Sequence, residues 1–217
     1  MFIAFMKTRQ EMENDMVSGN NQTTKVRMLT NALFVTGVAL MSMSGPPAAA
    51  DESETLLLTE FTPDTPELDW YVQNDNVMGG RSEGGFAVED NRLNFTGSTN
   101  TNGGGFSSIR TTRFKLDLSK YQGIRLRLKA DGRRYTWQIN TNAKRSGYPV
   151  SYWAEFDTPD GEWAEIDIPF GQFYPQFRGY KLDGPELDPG DITEFGLYIY
   201  DKKDGPFELI LDRIEAY

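Results

Sequence analysis

The chain has 217 residues, 32 acidic against 22 basic side chains, a formal charge of −10, and neither histidine nor cysteine. That length suits one domain of the larger all-β kind, and the acidic balance excludes nucleic-acid backbone binding and anionic membrane surfaces, both of which need clustered cations. Without His or Cys there is no Ser-His-Asp or Cys-His nucleophile pair, no thiolate chemistry and no zinc site of the usual N/S ligands, so a metal would be an oxygen-bound one such as calcium.

Residues 28–43 form an apolar run, preceded by Lys25 and Arg27 and followed by small residues and prolines from Ser44 to Ala50. This order reads as a signal peptide with cleavage after Ala50, which makes the protein periplasmic or secreted; a retained leader acting as a membrane anchor is the alternative. Thr and Asn interrupt the run, so no stable membrane span is expected. Glu11, Glu13 and Asp15 speak against a mitochondrial transit peptide, and Met16 or Met28 is the expected start. An exported chain without cysteine must be stabilised by packing rather than by disulfides.

Residues 51–57 are an arm leading into a single domain expected over 58–217, with Leu56 to Leu58 a candidate first strand. Asp69 to Gln73 alternates and runs into Asn74–Gly85, where two Gly-Gly pairs predict a tightly folded loop. Asn74, Asp75, Met78, Gly79, Gly80, Arg81 and Ser82 are its candidate binding residues, the plainer alternative being a flexible hairpin connection. Phe86 to Val88 and Leu93 to Thr96 read as two strands joined by a turn. A second glycine cluster, Asn102 to Gly105, opens onto Phe106–Thr111 and adds Gly105, Phe106 and Arg110 to the candidate set.

Phe114 to Leu118 alternates, and the clearest strand follows, with Ile124, Leu126, Leu128 and Ala130 on one face and Arg125, Arg127 and Lys129 on the other. The cationic row reads as a solvated outer face paired with neighbouring carboxylates rather than as an anion site. After an Asp131-Gly132 turn, Arg133, Tyr135, Trp137 and Ile139 alternate with Arg134, Thr136, Gln138 and Asn140, and Asp131, Arg133 and Tyr135 join the candidates. Tyr152–Phe156 and Trp163–Ile168, separated by a Thr158-Pro-Asp-Gly161 turn, read as a hairpin. The long stretch from Pro169 to Pro189 is aromatic and turn-rich and contributes Phe177 and Arg178. Phe195–Tyr200 and Pro206–Tyr217 read as a last hairpin. With no helical apolar stripe after residue 55 and turn signals between about eight to ten short strands, the fold class is all-β, an antiparallel β-sandwich of jelly-roll type.

Several segments coincide with one family: Trp70 with Asn74–Glu83, Gly104–Arg110, Asp117–Ser119 with Tyr121–Ile124, Asp131–Tyr135, Ile168–Phe170, Phe177–Gly179 and Asp201–Phe207. Over Leu58 to Tyr217 the chain resembles the complex I intermediate-associated protein 30 domain. The resemblance implies a galactose-binding-like sandwich and a non-enzymatic role, since mitochondrial members are assembly chaperones for the membrane arm of NADH:ubiquinone oxidoreductase. Those members act in the matrix whereas this chain carries an export-type leader, so the client is left open, and no catalytic residues are implied.

Three functional expectations follow. A protein-binding or assembly module would use Met78, Arg81, Arg110, Arg133, Tyr135, Phe177 and Arg178, types enriched at interface cores, unless these arginines merely tie loops down. A carbohydrate-binding module would use Trp137, Trp153 or Trp163 as sugar platforms with Gln138 and Asn140 as polar contacts, unless the tryptophans are core. An enzyme would need paired carboxylates such as Glu155 with Glu165 or Asp167, which read better as solvated cross-strand partners of the cationic row, and no enzyme activity is expected. Structural calcium at Asp201–Asp204 is a weak signal, lacking regular Asp-x-Asp-x-Asp-Gly spacing.

Overall fold

A strand that alternates apolar and polar residues must bury one face, and this chain repeats that instruction until two sheets close on each other. The computed structural model describes residues 55–65 and 68–217. The leader over 1–50, with its h-region at 28–43 and cleavage after Ala50, lies outside the described residues, as does the start of the arm.

In chain order the strands are β1 (Leu56–Thr59), β2 (Trp70–Val72), β3 (Glu83–Glu89), β4 (Arg92–Thr99), β5 (Ser107–Thr111), β6 (Gly123–Asp131) and β7 (Arg134–Arg145). They continue as β8 (Tyr148–Asp157), β9 (Asp160–Pro169), β10 (Tyr174–Phe177), β11 (Tyr180–Lys181), β12 (Ile192–Ile199) and β13 (Gly205–Ala216). A six-stranded sheet runs β3-β4-β13-β6-β9 with β1 also on β13, and a seven-stranded sheet runs β11-β10-β8-β7-β12-β5-β2. The fold is thus the antiparallel β-sandwich that the alternation predicts.

The core lies between the sheets. Leu93, Phe95, Ile124, Leu126, Leu128, Leu209 and Leu211 come from one side, and Tyr135, Trp137, Ile139, Tyr152, Phe195 and Leu197 from the other, all fully buried. Each such side chain contributes about 1.5–3 kcal/mol by leaving water. Trp137 meets Phe195 at 5.5 Å and Trp70 edge-on at 6.5 Å between ring centroids, so it fills the sandwich and presents nothing to a ligand. One expected sugar platform is therefore core.

Two expected hairpins do not form. β8 pairs with β7 and β10 whereas β9 pairs with β6, so the Thr158 turn carries the chain from one sheet to the other. Likewise β12 lies between β7 and β5 while β13 lies between β4 and β6. Turn residues set the local direction of the chain; which sheet a strand joins is set by the strand it pairs with. Phe114–Leu118, expected as a strand, makes one isolated bridge between Leu116 and Ile192. The β3–β4 hairpin forms as read, turning through Asp90 and Asn91 in the left-handed region.

The outer face of the six-stranded sheet is the solvated one expected. Arg125 forms a two-bonded pair with Asp167 at 2.6 and 2.9 Å, and Arg127 bonds Asp212 at 2.6 Å. Trp163 lies there between Arg127 and Arg92, at 5.2 and 5.4 Å from ring centroid to guanidinium. Among the described residues no helix is long and apolar enough to cross a membrane.

Candidate functional site

The two glycine clusters form one corner around a buried carboxylate. Asp75 opens a short 3₁₀ turn, Asp75–Met78, and is fully withdrawn from solvent. Its Oδ1 accepts the Ser82 N–H at 2.9 Å, and its Oδ2 accepts the Ser82 hydroxyl at 2.6 Å and the N–H groups of Gly105 and Phe106 at 2.6 and 3.3 Å. A Cβ on Gly80 or Gly104 would land on that carboxyl, which is why both positions are glycine. Burial by itself would raise the Asp75 pKa, but the donors from Ser82, Gly105 and Phe106 together outweigh it and hold the group below its ordinary value. Asn74 completes the stitching, donating to the Gly84 carbonyl at 3.0 Å and accepting the Ser107 hydroxyl at 2.6 Å.

Of the candidates in this corner, Asn74, Asp75 and Ser82 therefore face inward as framework. Gly79 supplies a left-handed turn with φ of 85°, and Met78 and Arg81 stand exposed on the rim.

A second knot absorbs Asp131, Arg133 and Tyr135. Arg133 binds both Asp201 oxygens, at 3.0 and 2.6 Å, and donates to the carbonyls of Lys203, Gly205 and Pro206 and to the Thr99 hydroxyl. Asp131 accepts the Arg133 and Glu208 N–H groups and the Tyr135 hydroxyl. Burial first, then the Asp131 carboxylate, pushes the Tyr135 phenol far up. These three, expected as binding residues, are committed to tying loops together. Asp201 is occupied by Arg133, and Asp204 accepts the Thr101 N–H at 2.6 Å, so the suspected calcium loop directs its carboxylates at protein donors. Among the described residues no group of three acidic side chains converges on a point.

Phe177 and Arg178 do not join the corner. They sit at the β10–β11 turn, where Phe177 packs on Tyr148 at 5.4 Å, on the sheet edge opposite β5 and β2. The single recognition face expected from the motifs is thus divided between two edges.

Trp153, Gln138 and Arg110, candidates under separate readings of the sequence, meet on the outer face of the seven-stranded sheet, which the motifs did not group. Ladder partners share a face, and the registers place Tyr174, Trp153, Gln138, Gly196, Arg110 and Tyr71 in one row across six strands. At strand spacing that row is about 24 Å long. A parallel row holds Glu155, Thr136, Tyr198 and Ser108. Trp153 donates its indole N–H to the Gln138 carbonyl at 3.0 Å and packs on Tyr198 at 5.1 Å and Tyr200 at 6.1 Å. Phe106 closes on the same two tyrosines. A cleft of about 570 Å³ opens over the β10–β8–β7 end of this face, lined by Trp153, Tyr174, Tyr200, Gln176, Glu155 and Arg134 among others, while Gln138, Gly196, Arg110 and Tyr71 lie outside its lining. The polar register of β7 at Thr136, Gln138 and Asn140 was the sequence signal for it.

The carboxylate pairs expected for an enzyme do not assemble. Glu155 belongs to the seven-stranded sheet, while Glu165 and Asp167 face out from the six-stranded one, so the expected pairing is overturned by the topology. In the cleft, Arg134 binds both oxygens of Asp157 at 2.8 and 3.0 Å and holds that acid below its ordinary range, the reverse of what a general acid requires.

Arg133→Ala should strand the Asp201 carboxylate, only 4% exposed, and lower stability by about 3–5 kcal/mol, read from urea midpoints. A second outcome concerns pH. The folded Asp75 carboxylate gives up its proton more readily than the unfolded one, so its contribution is complete above the ordinary value of 3.8 and is lost as pH falls through the lower folded value. Asp75→Asn should be less stable at neutral pH and should lack that part of the acid-induced loss, as followed by circular dichroism.

Comparison with curated proteins finds no match. Among solved structures, the chain is similar to the family 11 carbohydrate-binding module of the cellulosomal cellulase Lic26A-Cel5E of Clostridium thermocellum, with 19% identity over 75% of this chain and 94% of that one and a TM-score of 0.53. It is also similar, at 19% identity and a TM-score of 0.52 over 75% and 94% of the two chains, to a family 11 module from the same organism described in complex with a β-1,3-1,4-mixed-linked tetrasaccharide. An agarase, AgWH50C, matches at 14% identity over 75% of this chain and 24% of that one, with a TM-score of 0.50. These likenesses bear on the fold alone, a jelly-roll β-sandwich. The family model described as Complex I intermediate-associated protein 30 matches residues 59–211, and the chain belongs to that family.

Proposed function

We propose that the protein is a non-catalytic binding module that lays an extended, polyhydroxylated ligand, a saccharide chain, across the outer face of its seven-stranded sheet. The observation that carries this is the row running from Tyr174 through Trp153 and Gln138 to Tyr71, with rings at both ends and amide and glycine positions between. Aromatic faces stack on sugar rings, and the cleft at the Tyr174–Trp153 end gives such a chain a place to lie. The similarity in fold to a module described with a bound tetrasaccharide supports the same ligand class. Titration calorimetry against a panel of neutral and acidic oligosaccharides tests it. Trp153→Ala should weaken the bound member by about ten-fold or more; because the ring also packs on Tyr198 and Tyr200, the melting temperature falls, and circular dichroism at the titration temperature checks that the variant is folded. A wild type that binds no member of the panel sinks the reading.

A second reading, an assembly factor for a protein complex, is favoured by one feature. Val77 and Met78 are 61% and 67% exposed beside Arg81, on a loop whose backbone the Asp75 carboxylate holds still. Apolar side chains and an arginine on a rigid loop are what interface centres use. Crosslinking in intact cells with the double variant Met78→Ala, Arg81→Ala should lose a specific protein partner seen with the wild type; an unchanged set of crosslinked proteins counts against it.

A further inference from the structure

Arg110 stands apart from the other guanidiniums. Among the described residues, each of the rest either pairs with a carboxylate, as Arg125 and Arg133 do, or stands exposed, as Arg81 and Arg92 do. Arg110 is half-buried in the interior of the sheet, on β5 between β12 and β2, and its side chain makes neither a hydrogen bond nor an ion pair among those residues. A guanidinium carries five donors, and one whose Nε is shut off from water with none of the five engaged by the described residues calls for an explanation.

Three features hold it ready. Tyr198 lies beneath it, ring centroid to guanidinium 5.0 Å, and fixes its plane. Its Nε is closed off from solvent, so what solvent still reaches is the rest of the residue. Directly across the ladder stands Gly196, where a Cβ would come within 3.2 Å of both Gln138 and the Tyr198 ring and 3.6 Å of the Arg110 stem. The absent side chain keeps open the space beside the cation. It is therefore a cation in a prepared place, one position from the end of the row, with Gly196 and Tyr71 as its ladder neighbours.

We infer that the ligand of this face is an acidic saccharide, whose carboxylate or sulfate docks on Arg110 while its neighbouring sugars lie towards Trp153 and Tyr174. The inference rests on the cleft reading above and adds the chemical class of the ligand. A planar fork matches either oxyanion through two parallel hydrogen bonds, where an ammonium would offer only a point charge. The net charge of −10 repels polyanions at long range, so recognition falls to this local contact rather than to general attraction.

The test compares matched pairs: an oligogalacturonate with its carboxyl-reduced twin, and a sulfated galactan oligosaccharide with its desulfated twin, each titrated calorimetrically into the full chain. At least one acidic member should bind about ten-fold or more tightly than its neutral twin, and the pair that shows it distinguishes carboxylate from sulfate. In Arg110→Gln that ratio should fall towards one. Because Arg110 has no hydrogen-bond or ion-pair partner among the described residues, only the contact with the Tyr198 ring is lost and the variant should melt close to the wild type; Arg110→Lys, which keeps the charge without the fork, carries the same comparison if it does not. Equal binding of acidic and neutral twins by the wild type, or a ratio that survives in both variants, overturns the inference and leaves the cleft reading standing. Failure of all four probes and of the neutral panel removes the cleft reading itself.

Discussion

A carboxylate taken out of water must be surrounded by donors, and the fold of this protein's working edge follows from how Asp75 meets that demand. Its partners are Ser82, just before β3, and the N–H groups of Gly105 and Phe106, just before β5. One buried charge thereby fixes where two strands of different sheets begin. β5 then carries Arg110 onto the face that holds Trp153 and Tyr198, so the aim of the candidate site is set by a residue that never reaches it. Isolated, such a burial would be strongly unfavourable; satisfied by several donors, it locks a corner that glycine alone would leave loose.

Much of this was legible in the sequence, and the failures have a common cause. Period-two alternation located β6 to within a residue at each end and separated its two faces, because burial acts on each strand separately, and it found the start of β7, which runs five residues past Asn140. It could not say which sheet β9 and β13 would join. Thr158–Gly161 and Asp201–Gly205 carry the chemistry of turns, and both turns occur, but each carries the chain across the sandwich instead of back along the strand. The site failed in a related way. Glycine and arginine mark a backbone under constraint as readily as a surface for a partner, and Arg133, the most conspicuous candidate, proves to be engaged by a carboxylate, three carbonyls and a hydroxyl. The residues of the row come from six strands, β2, β5, β7, β8, β10 and β12, and only the register brings them together.

Both sheets have an outer face, and the contrast between them separates stability from purpose. On the six-stranded sheet the exterior is made of cross-strand ion pairs such as Arg125 with Asp167, side chains that solvate themselves and contribute little individually. Nothing beyond solubility is needed to explain it. On the seven-stranded sheet Gln138 is 2% exposed and Tyr198 4%, on the side turned away from the core. Burial pushes the Tyr198 phenol up to about 12, while the nearby Arg110 charge pulls it back. A sandwich built for stability alone would not place half-withdrawn rings, an amide and an unpaired cation where plain charged pairs would suffice. Such a surface is stable only because its members cover one another, and it gains most when something else completes the covering. That asymmetry between two faces of one molecule is the physical ground for placing recognition on the seven-stranded side.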